Sequence, residues 1–200
     1  GANGSGKTSL IEAIYCLGFG RSFRSGTYRQ LIRHEESSFI VFARVFDQEG
    51  QRHQVGYQRD SAGDVQLRIN QAKEKRFSAL ARMVPIQLMT PESIELILGG
   101  PKVRRQYVDW GVFHVEHSFY NDWVSFSKLL KQRNSLLKSK RFAVEHPYWD
   151  QQFAEYGERI HQHRQHYVDG FVSVVKERLK AFLPNYEFEF QLRSGWDKEL

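Results

Sequence analysis

The sequence predicts an α/β protein in which a nucleotide-binding lobe, built on a phosphate-binding loop and an antiparallel β-meander, is followed by an inserted helical lobe. Three observations predict it. Gly1, Gly6, Lys7 and Thr8 satisfy G-x-x-x-x-G-K-[ST] immediately ahead of an amphipathic segment. Residues 37–70 alternate apolar and polar side chains between glycine-containing turns. Residues 101–183 carry apolar side chains at spacings of three and four.

The loop comes first. At average residue frequencies its four fixed positions recur by chance in roughly one chain of this length in a hundred, and the motif also requires a helix behind it. SLIEAIYCLG supplies one, with Leu10, Ile14 and Leu17 at i, i+4 and i+7 and Gly18 placed to end it. Small residues between Gly1 and Gly6 let successive backbone N–H groups converge on phosphate oxygens, and the helix N-terminus adds partial positive charge. Lys7 then reaches the β and γ phosphates as a point charge, and the Thr8 hydroxyl suits Mg²⁺, which takes oxygen ligands. The chain starts on the first glycine of the motif, without a methionine and without the apolar strand that leads into such loops, so it reads as an internal piece of a longer chain.

An arginine-rich connector follows, GFGRSFRSGTYRQLIRH. The meander begins with FIVFARVFD, in which Phe39, Val41 and Ala43 alternate with other side chains. Its second strand spans 53–58 and its third 65–69, with turns at QEG and SAGD. Asp47 is read as the end of a strand, because Arg44 interrupts the apolar run that a Walker B aspartate would need. VPIQLM at 84–89 predicts a short buried strand, and Thr90 with Pro91 predicts a helix start. Phe119, Trp123, Phe126, Leu130 and Leu137 define the apolar stripe of one long helix, a linker occupies 140–147, and a second helix spans 148–183 up to Pro184. YEFEFQL at 186–192 alternates as a strand.

Composition excludes several classes. Hydrophobic residues make up 40% of the 200, and no run approaches the ~20 apolar residues of a membrane helix. Cys16 is the single cysteine, so no disulfide framework exists and a reducing, cytoplasmic location is expected. The net charge of +6 is uneven: residues 1–100 carry 13 basic and 10 acidic side chains, residues 101–141 carry 9 and 3, and residues 142–200 carry 7 and 10. A basic excess confined to a helical segment is the electrostatic form of a nucleic-acid contact. Lys128, Lys131, Arg133, Lys138, Lys140 and Arg141 are its densest run, with Arg21 and Arg24 on the connector as further candidates for phosphate or DNA. His161, His163 and His166 do not share one helical face and read as solvated surface, while Arg159 and Arg164 lie on the more acidic second helix and are not expected to contact DNA.

GANGSGKTSLIEAIYCLGFGRSFR, MTPESIELILGGPKVRRQYVDWGVFHVEHSFY and LLKQRNSLLK resemble the bacterial RecF recombination-repair family, ABC-type ATPase heads related to those of SMC and Rad50. The likeness runs along essentially the whole chain. It implies a partial ABC-type head, with residues 1–100 as the nucleotide lobe lacking its first strand, 101–184 as the helical lobe and 185–200 as the start of a return to the ATPase lobe. It implies ATP held by Gly1, Ala2, Asn3, Gly4, Ser5, Gly6, Lys7 and Thr8, with Mg²⁺ on Thr8. Ile94, Ile97, Leu98, Arg104 and Arg105 fit the tail of the family's magnesium-sensing segment, but Pro91 and Glu92 stand where its glutamine would be, so that role is unassigned. No Walker B aspartate or signature motif occurs, so no catalytic residue is assigned, and weak DNA-stimulated ATPase activity is expected only of a complete chain. The implied function is ATP-gated, sequence-independent binding of duplex and gapped DNA by a homodimer in DNA repair, replication restart and the SOS response, with RecO and RecR as partners. A small-molecule kinase using the same loop, or a structural head without ATP turnover, are the alternatives.

Overall fold

The computed structural model describes residues 2, 4–138 and 146–195, without the side chains of 146–148. The chain divides into two compact units that part between Thr90 and Pro91.

In the first unit, helix α1 (Lys7–Phe19) leaves the phosphate loop, and strands β1 (Ser38–Phe46), β2 (Arg52–Asp60), β3 (Val65–Ile69) and β4 (Ala72–Glu74) form an antiparallel sheet in the order β1-β2-β3-β4. Helix α2 (Phe77–Met83) follows. The register sets one parity of side chain inward. Phe39, Val41, Ala43 and Val45 of β1, Val55 and Tyr57 of β2, and Leu67 and Ile69 of β3 pack with Cys16 and Leu17 of α1 and Leu80 of α2. Removing this apolar surface from water, at about 25 cal/mol per Å², is what holds a short helix and a four-stranded sheet together. Tyr57 is buried inside the core and donates its hydroxyl to the Gly20 carbonyl at 3.0 Å.

Three details differ from expectation. Helix α1 runs past Gly18 and stops at Gly20, whose φ of 64° is left-handed and whose N–H donates to the Cys16 carbonyl. Gly18 instead permits close approach: a Cβ there would lie 2.9 Å from the Val84 carbonyl oxygen. Leu10 and Ile14, expected on the buried face, are 64% and 47% exposed, while Tyr15, Cys16 and Leu17 are buried. Residues 85–90 form no strand, because a strand exists only through its ladder and no described strand lies beside them to accept one.

In the second unit, a 3₁₀ turn (Pro91–Ile94) and short helix α3 (Glu95–Leu98) lead to α4 (Pro101–Val115), α5 (Phe119–Lys138) and α6 (His146–Phe182). Pro101 at the first turn of α4 gives up an N–H that has no helical acceptor there. Arg104 donates to the Gly99 carbonyl at 2.7 Å, satisfying a backbone acceptor just beyond α3. The core gathers Val112 of α4, Phe119 of α5 and Ile160 of α6, with Val108, Phe113, Phe126 and Tyr167 around them. Only part of the expected α5 stripe is inward. Phe119 is buried and Phe126 packs against the core, whereas Trp123, Leu130 and Leu137 are exposed; Leu129, outside the expected stripe, is buried instead. Residues 186–194 are neither helix nor strand, again with no described partner strand.

Several polar side chains on α6 are structural, including histidines that read as solvated. Arg164 clasps Asp109 of α4 with two bonds, Nε to Oδ1 at 2.6 Å and a second guanidinium nitrogen to Oδ2 at 2.9 Å. His163 lies between Glu116 and Asp122 at 3.5 and 3.2 Å, and His161 is buried. Arg159 pairs with Asp122 and covers the Tyr156 ring. No cluster among the described residues has the makings of a metal site.

Arg164→Ala is expected to destabilise this unit by about 2–3 kcal/mol, somewhat under the value for a fully buried pair because both partners are 20% exposed. Urea unfolding read by tryptophan fluorescence checks it, since residues 1–90 contain no tryptophan. Arg164→Lys should recover only part of the loss, because an ammonium cannot make the two-pronged contact. A loss under about 0.5 kcal/mol for Arg164→Ala would reduce the pair to a surface contact.

Candidate functional site: the phosphate loop and its clasp

Gly4 and Gly6 both have φ of 79°, a conformation that L side chains rarely adopt, and a Cβ placed on either would meet nothing within 4 Å. The loop is therefore left-handed at two points and faces open space there. Gly6 is the N-cap of α1 and supplies no side-chain cap, and the first turn holds no acidic residue. The Leu10 N–H is the first to bond back within the helix, to the Gly6 carbonyl at 3.0 Å. The N–H groups of Lys7, Thr8 and Ser9 thus lie at the positive end of a thirteen-residue helix without helical acceptors.

Lys7 folds back over its own loop, donating to the Ala2 carbonyl at 2.7 Å and to Ser5 Oγ at 3.4 Å. An ammonium held by a carbonyl and a hydroxyl is held weakly enough to exchange both for an anion. Thr8 is exposed beside it. Open left-handed glycines, helix-end N–H groups without helical acceptors, a cation and an exposed hydroxyl fit the polyphosphate of ATP and an oxygen-liganded Mg²⁺. Ala2, Gly4, Ser5, Gly6, Lys7 and Thr8 are brought together here; Gly1 and Asn3 lie outside the described residues.

A buried clasp that sequence reasoning missed supports the site. Glu12, about 6 Å along the helix axis from Thr8, is buried and accepts a hydrogen bond from Ser22 Oγ. Ser22 is also buried, and its oxygen accepts the N–H groups of Arg24 and Ser25 at 3.0 and 3.1 Å. Cys16 Sγ donates to the Arg21 carbonyl. The connector is thereby pinned to α1 through Glu12 and Cys16, with Arg21 and Arg24 exposed on either side of Ser22. Burial, and after it the nearby Glu12 carboxylate, pushes the Cys16 thiol up to about 11, so the cysteine is a packing residue and not a nucleophile. No sequence signal marks Glu12, an acid one residue after the exposed Ile11.

The basic run separates. At 100° per residue Lys128, Lys131 and Lys138 lie within about 80° of one another and are exposed. Arg133 points elsewhere, toward α6, where it pairs with Asp150 at 3.1 Å. Lys140 and Arg141 lie outside the described residues. Asp47 is fully occupied at the β1–β2 turn, accepting the N–H groups of Glu49 and Gln51 and bonding His53 Nε2 at 3.0 Å. The His53 contact, then the Gln51 N–H, holds its carboxyl below the usual range. That is a turn cap, as its place at a strand end implied. No described helix is long and apolar enough to cross a membrane.

Residues 1–198 match the RecF/RecN/SMC N-terminal domain family. The chain is 53% identical over 198 residues to the DNA replication and repair protein RecF of Idiomarina loihiensis, covering 98% of this chain and 54% of that protein. It is 42% identical over 199 residues to RecF of Shewanella denitrificans, covering 55% of that protein. A solved structure of the recombination mediator protein RecF with ATP, from the RecFOR pathway, superposes with a TM-score of 0.75 at 28% identity, over 91% of this chain and 50% of the other. The chain thus spans about half the length of the relatives it matches, and its mixed helix and antiparallel-sheet fold resembles the RecF ATPase head. Loop, fold and sequence agree that it belongs to the RecF/RecN/SMC N-terminal domain family.

Proposed function

We propose that this chain is the nucleotide-gripping part of an ATP-dependent DNA-binding protein of recombinational repair and replication restart, acting on duplex and gapped DNA as an ATP-gated homodimer. The observation that carries the reading is the phosphate loop, with two open left-handed glycines and Lys7 at the N-terminus of α1, which has no side-chain cap and no acidic residue in its first turn. Relatives described as DNA replication and repair proteins, and a similar structure described with ATP, support it. The antiparallel meander behind α1 favours it over a small-molecule kinase, whose sheet would continue through parallel β-α-β units.

What ATP supplies is a cleavable polyphosphate. What this chain's residues do is hold it: residues 1–8 cradle the phosphates, Lys7 counters their charge, and Thr8 offers its hydroxyl to Mg²⁺. By sequence the nucleotide lobe is residues 1–100, the helical lobe 101–184 and the start of a return to the ATPase lobe 185–200; in the fold, residues 91–100 group with the helical unit. Lys128, Lys131 and Lys138 present a basic face to DNA phosphates, with Arg21 and Arg24 near the nucleotide and Lys140 and Arg141 as further candidates by sequence. Contacts of this kind position a protein without reading bases. RecO and RecR are the proposed protein partners, and the cytoplasm is the proposed location.

The test uses the full-length protein. With Mg²⁺ and ATP it should sediment as a dimer and bind duplex DNA; with ADP it should do neither. Thr8→Val should cut Mg²⁺-dependent hydrolysis by at least about tenfold while lowering nucleotide affinity only a few-fold, because it removes the metal-facing hydroxyl and keeps the shape. Self-association and DNA binding that ignore the nucleotide would overturn the proposal.

A further inference from the structure

The outward face of the β-sheet is unlike its inward one. Register places Ile40, Phe42, Arg44 and Phe46 of β1 on it, beside Arg52 and Gly56 of β2, Arg68 of β3 and Lys73 of β4. Phe42 and Phe46 are 60% and 64% exposed although they sit within a regular strand. The face carries four positive charges and one negative one, Asp60, which sits at the end of β2 opposite Ser38 and accepts the N–H groups of Gly63 and Asp64; none of the four cations forms an ion pair among the described residues. A solvated sheet face normally balances its signs and carries few large apolar groups.

Gly56 adds a second, independent observation. It lies between Phe42 and Arg68 in one cross-strand row, which continues to Lys73. Its backbone is not left-handed, and a Cβ there would meet only the Arg68 Cβ, at 3.9 Å. Neither the backbone nor the packing calls for glycine in a strand, where it weakens the ladder. Its effect is to leave a side-chain-free gap between an aromatic ring and two cations, about 10 Å across at two strand spacings.

We infer that this sheet face is a binding site for single-stranded nucleic acid, with a base stacked on Phe42 over Gly56 and phosphates on Arg44, Arg68 and Lys73. The chemistry decides between occupants. A duplex hides its base faces inside its own stack, so it would use the arginines and gain nothing from the exposed rings. An acidic protein segment would likewise need only the charges. An unpaired strand uses both, since every base has a π face and stacking is tolerant of sequence. The site is distinct from the basic face of α5, and it rests on the preceding proposal only in taking nucleic acid as the ligand class.

The test measures binding of a labelled oligothymidylate and of a labelled duplex by the full-length protein. Phe42→Leu should weaken the oligothymidylate about tenfold and leave the duplex unchanged. Gly56→Val, which suits a strand and fills the gap, should do the same without lowering the melting temperature. Arg44→Gln with Arg68→Gln should reduce the salt slope for oligothymidylate by about 0.7 per lost contact. Unchanged oligothymidylate affinity in Phe42→Leu and Gly56→Val would overturn the site, and so would equal displacement by poly-glutamate of matched charge. Equal losses for oligothymidylate and duplex would also overturn it, leaving a charge patch. Duplex binding that ignores ATP while these variants still lose the single strand would sink the proposed function and not this site.

Discussion

Lys7→Ala is expected to lower ATP affinity of the full-length protein by roughly two to four orders of magnitude, the largest effect of any single change in this chain. The lysine is the one basic residue in the loop sequence, residues 1–8, and reaches back across the loop to Ala2 and Ser5. Charge-assisted hydrogen bonds contribute about 1.5–3 kcal/mol each, and an ammonium between β and γ phosphates makes about two, which converts to that range of affinity. The bonds it makes to Ala2 and Ser5 are exposed and weak by comparison, so removing them should not offset the loss. The fold should survive, because Lys7 is exposed at the start of α1, where alanine is the better helix former. Lys7→Arg should rescue poorly, since a planar fork replaces a compact charge in a loop shaped by two left-handed glycines. Calorimetric titration with ATP and a thermal melt together decide the matter. Wild-type affinity in Lys7→Ala would remove the loop from nucleotide binding, whereas an equal fall in affinity and melting temperature would show a folding defect.

The loop was legible in the sequence because everything that defines it is contiguous: glycines for positive φ, the cation, and a helix to follow. The meander was legible for a related reason. Period-two alternation and glycine turns are local signals, and the inward set of Phe39, Val41 and Ala43 is the one observed. What failed depends on distant partners. Residues 84–89 and 186–192 have strand-like patterns, but no described strand pairs with them. Strand β4 was missed because its hairpin turns at Asn70 and Gln71, both at positive φ, and glutamine is an uncommon residue for such a turn. Helix α2, at seven residues, is too short to show a period.

The candidate site divides in the same way. Glu12 reads as one more polar helix residue until Ser22 returns from the connector to meet it. Arg133 belongs by sequence to a basic run, and only its 140° offset from Lys128 and the arrival of Asp150 from α6 assign it to packing. His163 looks solvated on α6 alone, and nothing there marks Arg164 as a packing residue. Their partners Glu116, Asp122 and Asp109 come from other helices, 41 to 55 residues away in the case of Asp122 and Asp109. A charge pattern identifies a basic segment, but which charges face solvent is settled by helix crossings that the pattern does not contain.

One such crossing carries the last prediction. Gly111→Ala, which in an ordinary helix stabilises by up to about 1 kcal/mol, is expected here to destabilise the helical unit by about 1–3 kcal/mol. Gly111 is buried in α4, and a Cβ there would overlap the hydroxyl and ring of Tyr167 on α6. That ring has little freedom to yield. It is stacked on Phe171 with centroids 5.7 Å apart and packs on the core of Val112, Phe119 and Ile160. Its partial burial, and next its proximity to Tyr107, raises the phenol above its ordinary value. The sign of the change therefore tests whether the close approach of α4 and α6 outweighs helix propensity. Pairing Gly111→Ala with Tyr167→Leu separates the causes: if the overlap is responsible, the double variant should be more stable than the sum of the singles by at least about 1 kcal/mol. Urea unfolding followed by the fluorescence of Trp110, Trp123 and Trp149, all on helices of this unit, reads the result. A Gly111→Ala protein as stable as the parent would mean that α6 slides to make room, and the crossing is looser than its packing indicates.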